Sequence, residues 1–138
     1  LSFFIAKTLK KNTHFTMKKT IICSYINYVH VSGVESIDNN IVEFKNGQSF
    51  TKLKGIKPAV YTSTTDPTTA GTILHETVSI TAYSDEAAGL INSRQYYILQ
   101  AVTSDANFIV GSTEYPALKT ISNNKITATA NFEASSPM

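Results

Sequence analysis

The chain has a single cysteine, Cys23, so it can form no internal disulfide and assemble no cysteine-based zinc site. In its apolar surroundings the expected role of that residue is a small buried hydrophobe on a strand. Histidine is also scarce: His14, His30 and His75 are the only three, and their spacing presents no two imidazoles on one face. Six glycines leave little room for a phosphate-cradling loop, a Gly-x-Ser-x-Gly elbow or a dinucleotide fingerprint, and none occurs. The carboxylates are scattered, and the adjacent pair Asp85-Glu86 suits the first turn of a helix better than a general acid and base. No apolar stretch approaches the ~20 residues needed to span a bilayer. Phe3 to Ala6 is far shorter than the ~7–15 apolar residues of an export signal, and charge follows it instead of preceding it. These absences predict no catalytic, cofactor-binding or metal-ligating residue, no cofactor, no small-molecule substrate and no membrane association.

Charged residues make up only 16% of the chain, and they are unevenly placed. Lys7, Lys10, Lys11, Lys18 and Lys19 fall within the first nineteen residues with no acid among them, leaving seven basic against ten acidic residues in the remainder. The formal charge of +2 therefore belongs to one terminus, and a slightly acidic body argues against nucleic-acid binding, which needs a basic stripe across a folded surface. Met17-Lys18-Lys19-Thr20 reads like a natural translation start. Residues 1–16 are accordingly expected to be a disordered or non-native extension, with a basic arm that docks on a partner as the rival reading. Residues 17–138 are expected to form a single β domain located in the cytoplasm of the producing cell or in a particle assembled there.

What the sequence does contain is apolar residues, 42% of 138, solvated mainly by Ser, Thr and Asn, a balance that favours strands and turns over helices. Residues 20–31 are apolar on both alternating faces, as in an inner strand. Asn46-Gly47 predicts a hairpin joining 41–45 to 48–53. Residues 57–62 could add a strand, which Pro58 would place at an edge. Residues 63–72 read as a polar loop, a flexible excursion or an interaction loop. In residues 73–83 Leu74, Glu76, Val78, Ile80 and Ala82 alternate with a polar set and should face the core. A short helical turn is expected from Ser84 to Gly89, with Ser84 as N-cap. Hairpins are expected around Ser104-Asp105-Ala106 and around Asn123-Asn124, with residues 134–138 loose. The fold class these elements imply is all-β: an antiparallel sandwich or small barrel built from hairpins, with at most one short helix.

Tyr96 and Tyr97 must point to opposite faces, and Tyr61, Tyr83 and Tyr115 lie near strand ends or loops, where a tyrosine caps a core edge or contacts a partner. In the C-terminal half, residues 88–100, Thr103-Ser104-Asp105 and the Gly-x-x-x-Tyr-Pro corner of residues 109–116 resemble small proteins encoded among phage or prophage virion genes. That resemblance implies a non-enzymatic structural or assembly protein of a phage-like particle, at the tail or the head-tail junction. Its partners would be copies of itself or other virion proteins. The residues expected to carry contact are Lys10, Lys11, Lys18 and Lys19 of the basic arm, Tyr61, Asp66 and Pro67 at and within the polar loop, and Gly111, Glu114, Tyr115 and Pro116 of the corner. The alternative is a carbohydrate-binding or adhesin-like sandwich using its exposed tyrosines.

Overall fold

The structure, a computed structural model, describes residues 17–93 and 95–138. The doubly apolar run near its start is two strands, β1 (Met17–Cys23) and β2 (Tyr25–His30), bent at Ser24. The Ser24 N–H donates to the Val102 carbonyl at 2.8 Å, and the bend carries the chain from one layer of the molecule to the other. It also changes the parity of the buried face: Cys23 points inward from β1, whereas Ile26 and Tyr28 point inward from β2. Strands that switch sheets through such a bend form the corners of sandwiches.

After a 3-10 turn at Val31–Gly33 come β3 (Val34–Asp38), β4 (Ile41–Phe44), β5 (Thr51–Leu53), β6 (Ala59–Thr68) and β7 (Gly71–Tyr83). A short helix, α1 (Ala88–Ile91), precedes β8 (Tyr96–Val102), β9 (Asn107–Val110), β10 (Ala117–Asn123) and β11 (Thr127–Pro137). The ladder order is β1-β6-β7-β11-β10-β8-β2-β5, with β9 also on β8 and β3-β4 a separate pair. β10 joins the two layers, pairing with β11 along most of its length and with β8 only at Ala117↔Tyr97 and Leu118↔Tyr96. The path then folds back on itself: Phe132 of β11 meets Tyr97 of β8 edge-on at 5.9 Å between ring centroids, and Tyr61 of β6 meets Phe108 of β9 at 4.7 Å. The result is an all-β antiparallel sandwich with no barrel closure among the described residues, since the two ends of the path do not pair.

Its main core holds Cys23, Ile26, Leu53, Val78, Ile80, Leu99, Ala130 and Phe132 among others. A second cluster, Val29, Val34 and Ile98, lies on the opposite side of the β2-β8 layer, with Ile37, Val42 and Phe44 of the β3-β4 pair packed against it. Both faces of β2 are thus covered, which accounts for its two apolar faces.

Several local expectations need correction. The hairpin turn near residue 40 is Asn39-Asn40, with φ of 50° and 63°, and it joins β3 to β4. Asn46-Gly47 makes a turn, with Gly47 at φ 78° and Gln48 N–H donating to Lys45 O, but β5 pairs with β2 instead of returning along β4. The buried clusters on either side of β2 reward that non-local pairing more than the local turn rewards a hairpin. Pro58 precedes β6, which lies between β1 and β7 and is not an edge. The helix begins at Ala88, with no side-chain cap, and the Ser84 hydroxyl donates instead to Asn124 O at 3.0 Å. The hairpins β8-β9 and β10-β11 stand where the sequence places them. Ile126 is the exception on the last strand's apolar face, lying in the turn and exposed.

Candidate functional site

The expected polar loop at 63–72 is the far end of the β6-β7 hairpin. The ladder runs unbroken to Thr68↔Gly71, closed by Thr69-Ala70. The last strand, expected to be loose from Ala134, runs along β7 as far as Pro137↔Ile73, and β1 flanks the other side from Met17↔Thr65. β-Branched threonines make this run a strand, and backbone pairing, on both sides of β7 and on both sides of β6 as far as Thr65, holds it in place. No residue from 62 to 77 is buried. The sheet therefore continues beyond its core as an arm. Along the outside of this arm β1 is an edge that pairs with no other strand among the described residues, and Met17 and Ile22 are exposed on it at 67% and 58%.

Where the arm meets the core, register places side chains in rows. Lys19, Ser63, Glu76 and Ala134 are cross-strand neighbours, and the next row toward the core is Ile21, Tyr61, Val78 and Phe132. Glu76 is the carboxylate on the core-facing side of β7. The Tyr61 hydroxyl donates to its Oε2 at 2.6 Å, and the Gly111 N–H donates to it from the corner between β9 and β10. Gly111 can present that N–H because its φ of 89° suits glycine, and a Cβ there would stand 3.1 Å from Ala117 N. Partial burial pushes the Glu76 carboxyl above its ordinary range, opposed by these two hydrogen bonds. Burial, then the hydrogen bond to Glu76, pushes the Tyr61 phenol well up. Lys19, Ile21, Tyr61, Ser63 and Phe108 line a cavity of about 320 Å³ on this inner face. Chemically the cluster is a lock: a neutral phenol and a backbone N–H hold a carboxylate that ties one layer of the sandwich to the connection leaving the other.

The residues singled out in the sequence are dispersed differently from the expectation. Lys10 and Lys11 lie outside the described residues. Lys18 and Lys19 are ladder neighbours of Thr64 and Ser63, on opposite faces of the edge strand, so they do not form one basic patch. Asp66 and Pro67 pair with Ile73 and Thr72 in the arm, and Pro67 sits past the last described pair of β1. Tyr61 is not an exposed contact residue: only 6% of it is accessible, and it belongs to the core. Gly111 to Pro116 is a tight corner, with Ser112 N–H donating to Tyr115 O and Tyr115 N–H to Ser112 Oγ, and Glu114 and Tyr115 are exposed. Tyr61, Lys19 and Gly111 do converge, through Glu76 and Phe108, which sequence reasoning did not select. The signal for Glu76 was its place in an otherwise apolar alternating face. For Phe108 there was none, because its partner is non-local. Among the described residues no group of three or more His, Cys, Asp or Glu is placed to hold a metal ion, and no helix is long and apolar enough to cross a membrane. Against protein-family models, curated proteins and solved structures alike, the chain finds no match.

Proposed function

We propose that this protein is a non-enzymatic structural and assembly component of a phage-like particle, at the tail or the head-tail junction, acting through protein-protein contacts. The observation that carries the reading is the arm: a stretch of sheet in full register, without a buried residue from 62 to 77, bordered by the edge strand β1. Unpaired backbone groups along an edge are a template for another strand, and proteins that do not use such an edge usually cover it. Lys18 and Lys19 on β1 restrict indiscriminate pairing without abolishing it. The placement in a virion draws on the pattern of residues 88–116 and on the short Gly111–Pro116 corner.

A second copy of the chain is the partner this edge accommodates. Antiparallel pairing of two β1 strands about Thr20 would set Lys18 against Ile22 and Lys19 against Ile21, so that no lysine faces a lysine. Size-exclusion chromatography with light scattering tests the reading, with a discrete dimer or larger ring as the expected result. Ile22→Lys, on an exposed position that leaves the core intact, would place like charges together and should shift the population to monomer. A wild-type monomer at high micromolar concentration that instead binds immobilised glycans would overturn the proposal.

A further inference from the structure

α1 exits beside the 3-10 turn that follows β2, and a solvent-open pocket of about 360 Å³ lies between them. His30, Ser32, Asn92, Ser93 and Tyr97 line it. Every one of these side chains carries a hydrogen-bonding group, and none is acidic. Directly behind stands Lys119 of β10, only 7% accessible and, among the described residues, the one charged side chain that is buried. Its Nζ donates to the carbonyls of Leu90 and Ser93 and comes within 3.5 Å of Ser93 Oγ, while lying 5.7 Å from the centre of the Tyr97 ring. All its hydrogen-bond acceptors are neutral, and no carboxylate pairs with it among the described residues.

A lysine held this way is uncommon, because a buried cation is normally paired. One function of the arrangement is local, satisfying carbonyls at the end of α1. A second follows from the pocket in front. The Ser93 and Tyr97 hydroxyls are hydrogen-bonded to each other, and Ser93 Oγ also donates to the Leu90 carbonyl at 3.2 Å, so a ligand oxygen would compete with that carbonyl for the proton at the end of this short chain. On the opposite wall Ser32 N–H donates to His30 Nδ1 at 3.1 Å. A backbone N–H only donates, so Nδ1 is an acceptor and the neutral ring carries its proton on Nε2. The Asn92 amide adds a further donor. We propose that this pocket binds a small oxyanion, the phosphate or carboxylate group of a compact ligand, with Lys119 supplying the positive field from behind and Asn92, Ser93 and Tyr97 the direct hydrogen bonds. Burial lowers the Lys119 pKa, so an anion in front of it would favour the charged form that the fold alone penalises.

The site is independent of the β1 edge and stands or falls separately from the assembly reading. The test is an amide-resolved NMR titration at constant ionic strength with inorganic phosphate, with acetate and, as a neutral control, with glycerol. Saturable shifts at His30, Asn92 and Ser93, in the millimolar range for phosphate or acetate and absent for glycerol, are expected. The ratio of the two affinities identifies which oxyanion is preferred. Asn92→Asp, on the exposed rim and outside the core, replaces a donor with a carboxylate that repels the anion and should weaken binding at least tenfold; Lys119→Met should do the same if it folds. Linear shifts shared with glycerol, or Asn92→Asp binding phosphate and acetate within twofold of wild type, would overturn the proposal.

Discussion

Along β7, Val78, Ile80 and Ala82 are sealed into the core, while Ile73 and Leu74, in the same strand and the same ladders, remain half-exposed. The core end and the arm end of this sheet share backbone geometry and differ only in what lies across from them. Opposite the core end stand Tyr97, Leu99 and Ala101 of β8, together with Ile26 and Tyr28 of β2. β-Pairing alone orders a segment without making it a source of stability, because the gain from burial is missing while the conformational entropy is still lost. Glu76 and Tyr61 mark the boundary between the two ends.

The contrast can be broken most sharply at Phe132, fully buried between the layers. Phe132→Ala should cost about 3–5 kcal/mol in chemical denaturation, the ordinary penalty for emptying a core aromatic site. At the boundary, Glu76→Ala leaves the Tyr61 hydroxyl and the Gly111 N–H without their acceptor and should cost about 1–3 kcal/mol. Gly111→Ala should cost about 1–2 kcal/mol through its left-handed backbone and should loosen the β9-β10 corner, read as faster hydrogen exchange there.

The pH dependence sharpens the same boundary. The carboxyl of Glu76 is raised in the fold above its ordinary 4.5, so the native state binds more protons than the unfolded chain between that value and the raised one. Its contribution to stability is fully present below the ordinary value and is lost as pH rises through the folded one. Stability measured from pH 4 to 8 should fall across that window, and Glu76→Gln should flatten this component; an unchanged slope would remove Glu76 as its source.

The smallest effect is expected in the arm, where Leu74→Ala should change stability by no more than about 0.5 kcal/mol. A cost comparable with that of Phe132→Ala would mean that the arm has a core of its own and would take away the support for its proposed role as a contact surface.

Much of the fold was legible in local pattern. The alternation in residues 73–83 identified the inward face of β7, and the turns at Ser104-Asp105-Ala106 and near Asn124 located two hairpins. Legibility failed where local chemistry and long-range pairing disagreed. Asn46-Gly47 has strong turn chemistry, yet the chain after it joins β2. Threonines and a proline at 63–72 have the composition of a loop, yet β1 pairs with residues 63–65 and β7 with residues 63–68, so that only Thr69-Ala70 remain as a turn. The convergence of Tyr61, Glu76 and Gly111 joins residues far apart in the chain, and nothing within a short window announces it.

By itself the sequence determined the all-β class, the burial of Cys23, the opposite facing of Tyr96 and Tyr97 and the lack of any local catalytic or metal motif. Those follow from residue type and from the two-residue period of a strand, which are local properties. Only the tertiary structure decided that the run through Ser24 turns a corner between layers, that the supposed loop is an arm bordered by a strand that is an edge among the described residues, and that Lys119 lies buried behind a polar pocket. Each depends on which strands pair and which layers stack, and the free energy that makes that choice comes from burial between residues distant in the chain.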